Sequence, residues 1–167
     1  MSEAKHVTED GQRELVLVSF GYENGAAQDC FRTFNAKALC NPSRELRKKH
    51  SGTSLTLQAD FFKAPGVQDF FDATLQEICG AALSESRGFE QELRIGIGCE
   101  RGRHRSVALV ERLARELHLQ AAIAKQYTLR VEHRDLGSDT GTARGKCRDK
   151  TQQRQRARDS KYTNGGD

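Results

Sequence analysis

Nine consecutive residues concentrate the chemistry of this chain: Gly98, Cys99, Glu100, Arg101, Gly102, Arg103, His104, Arg105 and Ser106. The preceding run, ELRIGIG, reads as a strand, and the following run, RSVALVERLARELHL, reads as an amphipathic helix. A strand-to-helix turn ends on unpaired backbone N–H groups and the partial positive charge of a helix N-terminus. Gly98 and Gly102 let the backbone turn tightly and approach a ligand. Arg101, Arg103 and Arg105 add cations, and Ser106 can cap the helix or donate to an anion. Together these features predict a cradle for a phosphate-like group. Glycine-rich turns of this kind also occur without a ligand, but a plain turn has no need of three arginines and His104 between positions 101 and 105.

The same loop spells C-x5-R from Cys99 to Arg105, followed by Ser106. That is the pattern of cysteine-dependent phosphatases, in which a thiolate attacks phosphorus while the arginine holds the phosphoryl oxygens. A helix N-terminus and nearby arginines lower a thiol pKa, so the chemistry is feasible. It also needs a general acid, for which Asp135 and Asp60 are the candidates. The alternative for Cys99 is a small buried residue at a strand end. On the binding reading, Arg105→Ala is expected to remove the phosphate ligand and leave the fold intact.

The elements that must position this loop are legible on both sides of it. ELVLVSFGY is an apolar run expected to form a buried strand ending at Gly21, where the missing side chain would either allow a ligand close or serve a plain exit from strand to loop. CFRTFNAKALCNP alternates as a second strand closed by Asn41-Pro42. In PGVQDFFDATLQEICGAAL, Pro65 opens a helix with Val67, Phe70, Phe71, Leu75 and Ile78 at helical spacing. Phe61, Phe62, Phe70 and Phe71 are expected in the core, and Arg112 and Arg115 on the solvated face of the loop helix. YTLRVEHRDL is the last strand; if it neighbours the loop strand, His133, Arg134 and Asp135 would face the same pocket, and otherwise they form a solvated strand end with a local ion pair. Strands alternating with helices predict a single α/β domain, with a largely parallel or mixed sheet flanked by helices. Ligands in such sheets bind beyond the carboxyl ends of the strands, where the loop lies.

The apolar periodicity is confined to residues 14–136. Residues 1–13 are polar and expected to be disordered, and residues 137–167 form a basic tail expected to be disordered. Arg144, Lys146, Arg148, Lys150, Arg154, Arg156, Arg158 and Lys161 are only half offset by Asp139, Asp149, Asp159 and Asp167, a composition that suits either a solubilising tail or one that binds RNA through its phosphates. The overall charge of +4 likewise favours anionic partners. No apolar window is long enough to span a bilayer and no signal peptide precedes the domain, so a cytoplasmic protein is expected. The five cysteines are odd in number and scattered, which argues against a disulfide framework, and none pairs at zinc-ligand spacing, so neither a metal nor a cofactor is expected.

Taken in order, IGCERGRHRSVALVERLA, VSFGYENG, FNAKALCNP, ELRKKHSG, PGVQDFF and VEHRDL resemble the C-terminal domain of the RNase adapter protein RapZ family over about residues 15–136. The resemblance implies an α/β domain that binds a phosphorylated amino sugar, glucosamine 6-phosphate, and an adapter that contacts small RNA and a ribonuclease. By position it implies a ligand loop of Cys99, Glu100, Arg101, Gly102, His104, Arg105 and Ser106, with Asn41 and His133 nearby. Asn35 replaces the usual acidic residue of the second strand, Lys37 a usual arginine, and Glu100 a small hydroxyl residue. A carboxylate at position 100 sits badly beside a phosphate unless it turns away or meets the sugar amine. Full-length members also carry an N-terminal nucleotide-binding domain. No G-x-x-x-x-G-K-[ST] occurs here, since GTARGKC is one residue short, so ATP hydrolysis by this chain is not expected.

Overall fold

In a computed structural model of the chain, the structure is described for residues 13–84 and 92–137. The expected disorder of residues 1–12 and the basic tail from 138 onward lie outside the described residues. Four strands, β1 (Arg13–Gly21), β2 (Arg32–Asn35), β3 (Glu92–Cys99) and β4 (Tyr127–His133), form one sheet in the order β2-β3-β1-β4. Every pair is parallel. Five helices complete the α/β domain: α1 (Arg44–Lys49), α2 (Leu55–Phe61), α3 (Val67–Leu83), α4 (Arg105–Leu119) and α5 (Ala121–Ala124).

β1 is central and buried from Leu15 to Gly21, which is why its sequence is a continuous apolar run rather than an alternating one. It begins at Arg13, one residue before the apolar periodicity, because Arg13 N–H donates to Gln126 O and its guanidinium lies over the Tyr127 ring. Leu15 and Leu17 meet Ile95, Ile97, Leu109, Leu113 and Ile78 in the main core, with α4 packed on β1, β3 and β4. On α3, Val67, Phe71, Thr74, Ile78 and Ala82 are buried at the spacing expected for one helical face.

Two expectations need correction. The second strand does not run from Cys30 to Pro42; it stops at Asn35, whose Oδ1 accepts the Lys37 N–H and turns the chain out of the ladder. Arg112 is not a solvated side chain of α4. Its guanidinium stacks on the rings of Phe62 and Phe71, at 4.2 and 4.8 Å from their centroids, and so roofs the aromatic cluster. Its neighbour Arg115 donates to Gln58 Oε1 at 2.6 Å.

The opposite face of the sheet is held differently. Val16, Val18 and Phe20 are buried there, yet they stand outside the main core. Val16 lies in register between Arg94 and Arg130, whose stems shield it while their heads pair with Glu14, Glu92 and Glu132. The Arg134 guanidinium sits 5.3 Å from the Phe20 ring and donates to Gly21 O and Gly25 O, tying down the connection between β1 and β2.

Candidate functional site

The loop between β3 and α4 is pinned on both flanks. On one side Gly102, at φ 71°, lies back to back with the end of β1: a Cβ on Gly102 would fall 2.5 Å from Gly21 N, and one on Gly21 would fall 2.4 Å from Arg101 C. The expected open space at Gly21 is therefore filled by the loop backbone itself. On the other side Gly52 N–H donates to Arg103 O at 2.8 Å. Glu23 N–H donates to Glu100 O at 3.1 Å, holding the start of the loop to the turn after β1. Gly98, by contrast, lies inside β3, and its missing side chain makes room for the rings of Phe20 and Tyr22, not for a turn.

The N-terminus of α4 is buried and uncapped. Its N-cap residue, His104, makes no side-chain capping bond. Ser106, the expected cap, instead places Oγ 3.1 Å from Cys99 Sγ. Among the described residues, no hydrogen bond leaves the backbone N–H of Arg105, Ser106 or Val107. All three residues are buried, and unpaired donors in such a place ordinarily have a partner.

The site side chains divide sharply. Arg105, 7% exposed, donates from Nη1 to Lys37 O at 2.7 Å and Leu39 O at 2.8 Å. It is a staple between α4 and the turn after β2. Arg101 is exposed, 3.5 Å from Glu23. Glu100 lies 3.9 Å from Lys37 Nζ, so its carboxylate already leans toward a cation. Asn41 is exposed ahead of the buried Pro42. His133 is not beside the loop strand, because β1 stands between β4 and β3. Its Nδ1 lies 2.7 Å from Ser19 Oγ and its Nε2 2.9 Å from Glu111 Oε1.

Both candidate general acids are held by other donors. Asp60 accepts Ser43 N–H at 2.7 Å, at the start of α1. Asp135 is 6% exposed and accepts Gly21 N–H at 2.6 Å and two donors of Arg134. Burial alone would raise its pKa; the hydrogen bonds from Arg134 and Gly21 and the Arg134 charge prevail and hold it below the usual carboxylate value. Sequence reasoning missed the Lys37 and Leu39 carbonyls and Gly52. The closing glycine of ELRKKHSG was the available signal for the last.

Burial, and then the charge of Arg103, hold the His104 imidazole below the usual histidine range, although hydrogen bonds to the backbone of Arg47 and His50 pull the other way. A folded pKa below the unfolded value of about 6.5 means that this stabilisation is complete above that pH and is lost as pH falls through the folded pKa. Denaturant titrations at successive pH values below neutrality should show the parent losing stability faster than His104→Gln. Parallel losses would show that His104 is not held neutral by the fold.

A four-stranded parallel sheet flanked by helices, with a glycine- and arginine-rich loop leading into an uncapped helix at its carboxyl edge, defines the class: a single α/β domain. A sequence signature of the RapZ C-terminal domain matches residues 13–137, and the chain belongs to that family. It is 33% identical over 137 residues to a nucleotide-binding protein of Acidothermus cellulolyticus, covering 79% of this chain and 43% of that protein. It is 35% identical over 131 residues to a nucleotide-binding protein of Methylococcus capsulatus, covering 75% of this chain and 41% of that protein. The chain thus spans about two fifths of the length of these relatives. No helix among the described residues is long and apolar enough to cross a membrane.

Proposed function

We propose that this domain binds a phosphate-bearing small molecule in the loop between β3 and α4, and acts as a ligand sensor or adapter. The observation that carries the reading is the buried, uncapped N-terminus of α4, whose free N–H groups and dipole suit an anion. An amino-sugar phosphate is the favoured ligand. Its phosphate would take the N–H groups, and its ammonium would take the Glu100 carboxylate, which would otherwise repel the anion. The relatives' description as nucleotide-binding proteins makes a nucleotide the competing ligand. The adapter part of the reading, with an RNA or protein partner, rests on family membership and on the basic tail.

The test is a thermal-shift series with inorganic phosphate, glucosamine 6-phosphate, free glucosamine and a nucleoside triphosphate. A ligand at about a hundred times its Kd contributes about 2.7 kcal/mol, or a rise of about 5–10 °C in Tm for a chain of this size. The phosphosugar should give a saturable rise and the free sugar none. No shift with any phosphate-bearing probe would overturn the reading, and a shift with the nucleotide alone would replace the ligand.

The contact between Cys99 and Ser106 also keeps a phosphatase reading in view. Against it, Cys99 is 2% exposed and the Arg105 guanidinium is directed to carbonyl groups. p-Nitrophenyl phosphate should be turned over no faster than background. A rate abolished by Cys99→Ser would establish the enzyme instead.

A further inference from the structure

The short helix α2 buries Leu57, Gln58 and Phe61 on one face. Two of these are apolar. The third is an amide, 4% exposed, and both ends of a buried carboxamide require partners. Gln58 Nε2 donates to Gly52 O at 2.8 Å, and Gln58 Oε1 accepts from Arg115 Nη2 at 2.6 Å. Neither partner can exchange roles, because a carbonyl only accepts and a guanidinium only donates. The amide is therefore fixed in one orientation. Arg115 is steadied from its other side by Glu111, 3.9 Å away, whose second carboxylate oxygen lies 2.9 Å from His133 Nε2.

Gly52 passes this orientation on. Its carbonyl takes the Gln58 amide, while its N–H donates to Arg103 O in the loop between β3 and α4. It also lies against the start of α4: a Cβ there would fall 2.3 Å from His104 O and 2.6 Å from Ala108 N. Those two atoms form the bond that closes the first turn of α4, at 2.8 Å. The connections from Arg115 through Gln58 and Gly52 to Arg103 thus leave α4 from its middle, cross α2 and return just ahead of its first residue. Both ends rest on one helix, so the connections brace the loop against the helix that follows it.

We propose that Gln58 is a positioning residue for the anion loop. It sets the Gly52 peptide, and Gly52 sets the Arg103 carbonyl and the first turn of α4, so that the N–H groups of Arg105, Ser106 and Val107 converge on one anion. The effect on affinity rests on the loop being the ligand site; the bracing of the loop does not. An amide that merely filled the core would affect stability and leave affinity alone. By linkage, a ligand that requires the braced loop must in turn steady the Gly52 amide.

The test uses the full chain and Gln58→Glu, which keeps the side-chain length and the Arg115 partner but turns an acceptor oxygen toward the Gly52 carbonyl. Calorimetric titration with glucosamine 6-phosphate should show affinity at least about tenfold weaker. Gln58→Met, of similar volume, removes both bonds and should match it. Arg115→Met, at a half-exposed position, leaves the amide free to turn and should weaken affinity about two- to fivefold. Amide hydrogen exchange without ligand should show Gly52 N–H at least about tenfold faster in Gln58→Glu, beyond any rise at Thr74 and Ile78 on α3, which report the stability of the whole domain. In the parent, glucosamine 6-phosphate should slow Gly52 N–H. If Gln58→Glu fails to fold, Arg115→Met carries both measurements. Parental affinity in the folded variants, or a Gly52 N–H that speeds up no more than those of α3, would overturn the proposal. A parent that binds no phosphate-bearing probe would remove the ligand reading instead, and exchange at Gly52 would still decide whether Gln58 braces the loop.

Discussion

Gly102→Ala should cost about 3–5 kcal/mol of stability, a very large effect for one added methyl group. Two causes act together. The residue sits at φ 71°, where a side chain costs about 1–2 kcal/mol. The new Cβ would also stand 2.5 Å from Gly21 N, 2.8 Å from Phe20 C and 3.0 Å from Asp135 Cβ. These neighbours cannot easily retreat. Gly21 ends the central strand, which is paired on both sides, and its N–H is bound by Asp135. Relief must come from the loop, which would lift away from β1 and carry the start of α4 with it. Urea denaturation measures the loss, and phosphate-ligand binding should disappear in whatever fraction still folds. A Gly102→Ala protein within about 1 kcal/mol of the parent would mean that the loop is not pinned as described.

Arg105→Ala should be the second most consequential change, and it should act on both stability and ligand binding. Losing two charge-assisted hydrogen bonds from a buried guanidinium costs about 2–4 kcal/mol. The turn after β2 is then no longer tied to α4, and the cation at the helix start is gone, so affinity for a phosphate ligand should fall at least about tenfold. Arg101→Ala is the matched control. Its side chain is 74% exposed, and its removal should change stability by no more than about 0.5 kcal/mol. Denaturation with calorimetric titration of both variants tests the contrast. Unchanged stability in Arg105→Ala would remove the staple, and unchanged affinity would remove the loop from the proposed binding site.

The two arginines differ only in what lies around them, and that difference marks where sequence reasoning stops. Both stand in the same loop with the same charge, and nothing local assigns one to solvent and the other to two carbonyls a long way back in the chain. The same holds for Arg112, which spacing alone places on a polar helix face. Its position over Phe62 and Phe71 exists only once α2 and α3 have packed beside α4.

What the sequence determined by itself is local and periodic. The apolar run of β1, the spacing along α3, the start of α4 at Arg105 and the loop between β3 and α4 follow from side-chain periodicity and turn chemistry, which act over a few residues. Only the tertiary structure decided which strands are neighbours, and those long-range choices allot each residue its partners. With β1 between β3 and β4, His133 meets Ser19 on β1 and Glu111 on α4, partners that the pattern of its own strand does not show. The alanine-sized gap between Gly21 and Gly102 closes because two chain segments far apart in sequence arrive at one sheet edge, so that steric exclusion, invisible to any local pattern, makes both positions glycine.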